Sequence, residues 1–279
     1  MADYLAREAA PLSEEQWAGL DKAVAEAAKS FLVGRRFLSL FGPLGPGLEL
    51  VPLEEPTGLT DAAVGTAVEE AGAAVTAGQR RYLSLPLLAK DFRLDWRVLE
   101  QERRLELPFD TARAALAAQA VARAEDELIF QGRADLGLTG IFTAPGRLTA
   151  ELGDWSAAGA GYASVVAALE KFLAAGVYGP YALVASPRLY AELNRVEKDT
   201  NLLTLDLVQR LATAGVFTSP VLAPNQAALI AVGAENLDLV VGFDLAVAYL
   251  ETRNLSHYFR VLESVALRVK RPQAICTLE

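Results

Sequence analysis

The chain has 279 residues, 52% of them hydrophobic and 22% charged, which is the composition of a globular protein with apolar material for one large domain or two small ones. A net charge of −9 argues against a broad basic surface for duplex nucleic acid, because phosphate binding needs clustered Lys and Arg. One cysteine, Cys276, and one histidine, His257, exclude an internal disulfide, a cysteine-rich zinc site and a His-based metal centre.

The start, Met1-Ala2-Asp3-Tyr4, carries an acid where a signal peptide wants bases. No apolar run approaches the roughly 20 residues that span a bilayer. These features point to a soluble cytoplasmic protein. Ser13 and Gln16 form a capping box that opens a helix. Trp17, Leu20, Val24, Ala27 and Phe31 follow at spacings of three and four and draw one apolar stripe. Gly34 is placed to stop the helix. Such a helix either folds onto its own domain or packs as an arm on another body. Phe41 to Gly47 holds two Pro and three Gly and reads as a turn-rich connector. It lacks the Gly-Lys-Ser/Thr ending of a phosphate loop.

Val51 and Leu53, then Tyr82, Leu83, Leu85, Leu87 and Leu88, look like strand material, with an Ala-, Gly- and Glu-rich stretch from Thr60 to Gly78 between them. This is a long hairpin with little core of its own, so it leans on a neighbouring chain. A helix begins at Asp110 or Thr111 and ends at Gly132, with Ala114, Ala117, Val121, Ala124 and Leu128 on one face. Its small side chains allow close approach to a sheet. The acidic run Glu125-Asp126-Glu127 reads as a solvated or ion-paired face, since nothing near it offers a catalytic partner.

After the turn Gly137 to Ile141, a helix covers Tyr162 to Ala175 with Val165, Val166, Leu169, Phe172 and Leu173 inward, and Gly176 ends it. Tyr181 to Ala185 is a short buried strand, and Ser186-Pro187 starts another helix with Ser as N-cap and Pro at the first position. Ser186 is no nucleophile by pattern, because the Gly-x-Ser-x-Gly elbow is absent. Glu197 to Asn201 is a polar loop, and Leu202 to Ala214 is helical. Val216-Phe217, Ala227 to Val232, Leu237 to Val241, Ala246 to Leu250 and Tyr258 to Leu262 read as strands, with His257 an ordinary polar residue beside the last. The class is α+β.

The chemical inventory is thin. There is no Gly-x-Gly-x-x-Gly, no His-Glu-x-x-His, no cysteine pair and no triad. From the residues alone, two readings stay open: a protein that assembles with copies of itself, and an enzyme working through carboxylates or Lys.

Six segments in register carry a resemblance. Ala10 to Trp17, Gly34 to Phe37 with Gly42-Pro43, Ala124 to Gly132, Gly137 to Ile141, Gly176 to Tyr181 and Gly242 to Tyr249 resemble, in the same order, motifs of family 1 encapsulin shell proteins, also called linocin-type bacteriocins. The resemblance runs from residue 10 to about residue 250. It implies a Hong Kong 97-type phage major capsid fold. The N-terminal helix and connector would cover 1–47, the extended loop 48–94, the peripheral domain with its long spine helix 95–140 and 221–279, and the axial domain 141–220.

The resemblance also implies a shell protein, not an enzyme, whose copies form an icosahedral homo-oligomer. That cytoplasmic nanocompartment encloses a cargo protein such as a ferritin-like protein or a dye-decolorizing peroxidase. The cargo is held by a C-terminal targeting peptide, with no membrane and no nucleic acid involved. Carried over by position, the peptide groove implicates Phe31, Arg35, Phe37, Ser39, Asp244, Leu245, Val247 and Tyr249. An apolar trough would take aliphatic side chains, with Arg35 and Asp244 fixing peptide direction. On this reading Phe37→Asp or Val247→Asp loses cargo and leaves assembly intact. The loop Glu197, Lys198, Asp199, Thr200, Asn201, Leu202 and Leu203 falls where the family lines its fivefold pore.

The chain departs from the family at Ser39, where an acid is frequent, and at Ala248, where Gly is frequent. Some members bind flavin between a Trp and a pore-loop Tyr. Here Trp96 is shifted by one residue and Glu197 to Leu203 holds no Tyr, so no cofactor is expected. The competing reading on the same fold is a viral or prophage major capsid protein that packages nucleic acid. A carboxylate hydrolase or transferase would instead show a deep cleft with convergent acids.

Overall fold

The structure, a computed structural model, describes residues 4–58, 62–64, 73–197 and 201–279. The middle of the expected extended loop (59–61 and 65–72) and the pore-loop residues Lys198, Asp199 and Thr200 lie outside the described residues.

A short 3-10 turn at Arg7–Ala9 precedes helix α1 (Glu14–Phe31). The capping box forms as read: Gln16 N donates to Ser13 Oγ at 3.2 Å, and Ser13 N donates to Gln16 Oε1 at 3.0 Å. Trp17, Leu20, Val24 and Ala28 are buried. Ala27 packs beside them half-buried, whereas Phe31 at the helix end is exposed, so the stripe leans toward Ala28 with the drift of a 3.6-residue period. We expect Ser13→Ala to cost about 1 kcal/mol. Hydrogen exchange should read this as faster exchange at the Gln16 amide, and unchanged exchange would contradict the cap.

Gly34 does not stop α1, which ends at Phe31 with Leu32 as its cap. It opens a 3-10 turn (Gly34–Arg36) pressed against the next long helix, where an added Cβ would stand 2.5 Å from Ile129 Cδ1. Its role is close approach, not termination.

Strands β1 (Ser39–Phe41), β2 (Leu50–Thr57), β3 (Thr76–Ser84) and β4 (Leu87–Asp95) follow. Helix α2 (Trp96–Leu105) starts at Asp95, whose carboxylate accepts from Arg97 N at 2.9 Å. No periodicity announces α2, because Leu99 is its only buried apolar side chain. Helix α3 (Ala112–Gln131) is the long helix, with Ala114, Ala117, Ala118, Val121 and Ala122 buried along it. Gly132 ends it at φ 72°, packed so tightly that a Cβ would meet Gly140 N at 2.5 Å.

Beyond lie β5 (Gly132–Arg133), β6 (Leu138–Thr139), β7 (Leu148–Ala150), α4 (Ala160–Ala174) and β8 (Tyr181–Ala185). On α4, Val165 and Phe172 face inward, whereas Val166 and Leu173 are exposed, contrary to the sequence reading. Helix α5 (Pro187–Leu193) has Ser186 as its cap, accepting from Leu189 N. Helix α6 (Thr204–Leu211) is shorter than expected, because the Asp206 carboxylate accepts from Leu203 N and fixes the start there.

The chain closes with β9 (Gly215–Thr218), β10 (Ala227–Ala231), β11 (Leu237–Arg253), β12 (Ser256–Val269) and β13 (Ile275–Leu278). The two strands read at 237–241 and 246–250 are one strand, β11, with register shifts at Val241/Phe243, Phe243/Ala246 and Tyr249/Glu251.

Among the described residues the strands form two main sheets. One has the order β1-β11-β12-β4, with β1 parallel to β11 and the other pairs antiparallel. Helices α1 and α3 cover one of its faces, and Trp17, Phe92 and Phe259 meet there. The other sheet has the order β7-β13-β10-β8-β9. Its β10 and β13 come from 221–279, so that segment crosses the expected boundary at 220 and enters the sheet built by 141–220. The main core follows this second sheet and reaches Ile129 and Phe130 of α3.

α1 therefore packs on its own chain, the plainer of the two readings. The β2–β3 hairpin pairs Leu50 with Ser84 and stands by itself as a two-stranded ribbon. Val51 and Leu83 are buried at its base, while Tyr82 and Val75 further along are exposed. No helix among the described residues is long and apolar enough to cross a membrane.

Candidate functional site

The register shifts in β11 push Asp244 and Leu245 out of the ladder toward α1. Between this irregular stretch and the second half of α1 lies a groove of ≈ 940 Å³. Its apolar lining is Val24, Ala25, Ala28 and Leu32 on one side and Leu245 and Ala246 on the other. Alanines leave the trough wide enough for aliphatic side chains, and concave apolar surface edged by charge suits an extended peptide. Charges stand around it. Arg7 is paired with Asp21 at 2.7 Å, Arg35 with Asp244 at 2.8 Å, and Lys29 and Arg36 also face the groove.

Arg35 joins four elements. Its Nε donates to Glu125 Oε1 at 2.9 Å, and Nη2 donates to Glu125 Oε2 at 2.7 Å and to Glu263 Oε2 at 2.8 Å. Nη1 donates to Asp244 Oδ1 at 2.8 Å. One cation thus meets three carboxylates, of which Glu125 on α3 and Glu263 on β12 are fully buried. Burial alone would lower the Arg35 pKa, but the hydrogen bonds and charge of Glu125, with the charge of Glu263, outweigh it and hold the guanidinium protonated. Burial, then the Glu125 charge, pushes Glu263 well above the usual carboxylate range despite Arg35. A protonated Glu263 brings the cluster closer to neutrality.

Asp126, beside Glu125, fixes the chain after α1. It accepts from Gly34 N at 3.0 Å, from Val33 N at 3.1 Å and from Ser219 Oγ at 3.3 Å. Of the two readings of the acidic run, ion pairing holds for Glu125 with Arg35 and for the exposed Glu127 with Arg123, whereas solvation fails for Glu125 and Asp126, which are buried. Burial pushes Asp126 up to about 6, against the lowering pull of the Gly34 and Val33 amides.

An acid whose folded pKa is raised contributes its full stabilisation below the unfolded value near 4 and loses it as pH rises through the folded value. Stability should therefore fall as pH rises from about 4 to 6, by roughly 3 kcal/mol at most from this group. Urea denaturation midpoints across that window check this. Asp126→Asn should flatten the slope, and an equally steep slope in the variant would contradict the assignment.

Arg35, Asp244 and Leu245, of the residues expected from sequence, come together at the groove. Arg35 and Asp244 neutralise each other there, rather than standing as two free charges. Phe31 sits half-exposed at the end of α1, and Ser39 is exposed on β1 in register with Asp238; neither lines the groove. Phe37 is core: it packs against Phe130 and Phe217, with ring centroids 6.4 and 5.7 Å away. Val247 is fully buried. Tyr249 is buried edge-on to Phe259 at 5.4 Å, its hydroxyl 2.6 Å from Thr252 Oγ1.

Sequence reasoning missed Arg7, Asp21, Ala25, Ala28 and Ala246. The available signal was Val24-Ala25 with Ala28 and Leu32, an apolar face broader than one packing partner requires.

In the expected pore loop, Glu197 is tied down. Its amide donates to Leu202 O at 2.7 Å, and its carboxylate accepts from Gly159 N and Thr204 Oγ1, both at 3.1 Å. Val196 and Leu203 form a bridge, and Asn201 has φ 54°. Trp96 is partly exposed at the start of α2, with the Arg97 guanidinium 5.7 Å from its ring centroid.

A family model with the description "Encapsulating protein for peroxidase" (Linocin_M18) matches residues 2–266. The chain is 44% identical over 279 residues to the type 1 encapsulin shell protein EncA of Myxococcus xanthus, covering 100% of this chain and 97% of the relative. Among solved structures, it resembles the virus-like particle from Pyrococcus furiosus with a TM-score of 0.75 at 18% identity, covering 95% of this chain and 99% of that one. It resembles the capsid of Myoviridae phage XM1 with a TM-score of 0.66 at 13% identity, covering 88% and 91%. At these identities the two structures speak to the fold.

Proposed function

The chain belongs to the encapsulin shell protein family, and from that premise we propose that its copies close into a hollow cytoplasmic compartment around a cargo enzyme. The fold is the Hong Kong 97-type capsid fold. The single observation that carries the reading is the family match along nearly the whole chain, residues 2–266.

The surface of the single chain supports it. Tyr82, Leu105, Leu116, Leu173 and Tyr178 are all at least half exposed, and apolar surface of this kind is covered when copies tile. Among the described residues the β2–β3 hairpin has buried side chains at its base alone, and its outer part gains partners on a neighbouring copy. The role is structural rather than catalytic, and no cofactor enters it.

The groove between α1 and β11 is the docking place for an extended peptide at the cargo's C-terminus. Its apolar lining takes the side chains, and its charged ends limit the peptide's path. The family's description names a peroxidase, which makes a peroxidase the first cargo to try. Glu197 and Asn201 to Leu203, the described ends of the expected pore loop, border the fivefold pore. A viral or prophage capsid protein shares the fold, but the relative at 44% identity is an encapsulin shell protein.

The test is co-expression of the chain with a fluorescent protein that ends in the tail of a peroxidase encoded beside its gene. The tailed reporter should sediment with particles and the tail-less reporter should not. Equal sedimentation of both would count against the tail as address.

A further inference from the structure

The groove stops where the N-terminal strap begins. Beyond Leu245 and Ala246, β11 continues through Val247 and Tyr249. Residues two apart on a strand present their backbone groups on the same edge. On that edge Tyr249 N donates to Leu5 O at 2.9 Å, and Val247 O accepts from Arg7 Nε at 3.0 Å. Arg7 is anchored in turn. It makes two bonds to Asp21 of α1, at 2.7 and 2.8 Å, and its guanidinium stands 4.6 Å from the Trp17 ring centroid. Tyr4 meets Phe243 edge-on at 5.4 Å.

Two further observations mark this strap as displaceable. Ala6 holds φ 48° and ψ 31°, a left-handed conformation that a residue with a Cβ adopts at a cost. Tyr4 is more than half exposed. The strap thus takes one donor and one acceptor that a strand added to β11 would use, and does so under local strain.

Resting on the groove reading above, we propose that residues Tyr4–Arg7 are a built-in competitor of the cargo peptide. They occupy the edge of β11 onto which the peptide extends from the groove by strand addition, and they lift when it binds. The strap sets a threshold: only a peptide that fills the groove and then supplies its own backbone pairing displaces it.

The probe is a dye-labelled synthetic peptide with the terminal sequence of the enzyme that co-purifies with the shell. Arg7→Ala shells should bind it several-fold more tightly than the parent. Independently, Tyr4→Cys provides one site for a nitroxide label, because Cys276 is buried and burial pushes its thiol up to about 11. The label should become mobile when the peptide saturates the shell. Equal or weaker binding to Arg7→Ala, or a label that stays immobile at saturation, overturns the proposal. Leu245→Asp separates the two ideas. If Leu245→Asp abolishes binding, yet the label in shells that keep Leu245 stays immobile at saturation, the strap proposal alone fails. If it binds as the parent does, the groove reading fails with it.

Discussion

Replacing Arg35 with alanine is expected to cost about 3–5 kcal/mol of subunit stability, the range for stripping one partner from a buried ion cluster. The side chain meets Glu125, Glu263 and Asp244, and two of those carboxylates have no access to water. Without the guanidinium, Glu125 loses its forked partner and Glu263 loses the hydrogen bond from Nη2, and both stay buried. Buried polar groups left without partners raise the free energy of the folded chain. The same loss cuts the turn after α1 from β11 and β12 and leaves Asp126 as its polar hold on α3. Arg35→Lys should recover only part of the loss, since one ammonium cannot reproduce the forked contacts. Urea denaturation of the parent and both variants measures this. A midpoint within error of the parent for Arg35→Ala would show that the cluster holds nothing together.

Charge placed in the groove should separate cargo retention from folding. Leu245 is half-buried and lines the groove from the displaced stretch of β11, so the carboxylate of Leu245→Asp keeps part of its access to water until a peptide lies against it. Loss of a central apolar anchor typically costs about 2–4 kcal/mol of binding, roughly thirty- to a thousandfold in affinity. Particles should still form and should be empty. Val247→Asp and Phe37→Asp behave differently, contrary to the expectation from sequence. Both side chains are enclosed by their own chain, Val247 against α1 and β12 and Phe37 between Phe130 and Phe217. A charge there opposes folding itself. Soluble particle yield and reporter content, measured together for the three variants, decide the matter. Normal, filled particles from Leu245→Asp would remove the groove from the account.

What could be read from sequence was chiefly local chemistry. Ser13 with Gln16, Ser186 before Pro187, and Gly132 after an alanine-rich face each signal an element end within a few residues. The structure has those ends where they were expected. Helix α2 has a cap in Asp95 but no apolar stripe behind it, because it buries one leucine and half of its residues are charged. For Glu125 and Asp126 the sequence leaves a solvated or ion-paired face open; Glu125 is ion-paired and both are buried, on partners, Arg35, Val33 and Gly34, that lie far away in the chain. The groove was half legible. Arg35, Asp244 and Leu245 followed from the family motifs, but alternation along β11 fails where its register slips. That slip sends Val247 and Tyr249 into the core and leaves Leu245 and Ala246 at the groove. The contribution of Arg7 had no motif at all, since it depends on a strap meeting the edge of a distant strand.

The central claim is that this chain acts as one tile among many. Electron microscopy of the purified protein, without cargo, tests it most directly. Closed hollow particles of uniform diameter are the predicted result. A population of monomers or small open oligomers at every concentration examined would contradict it.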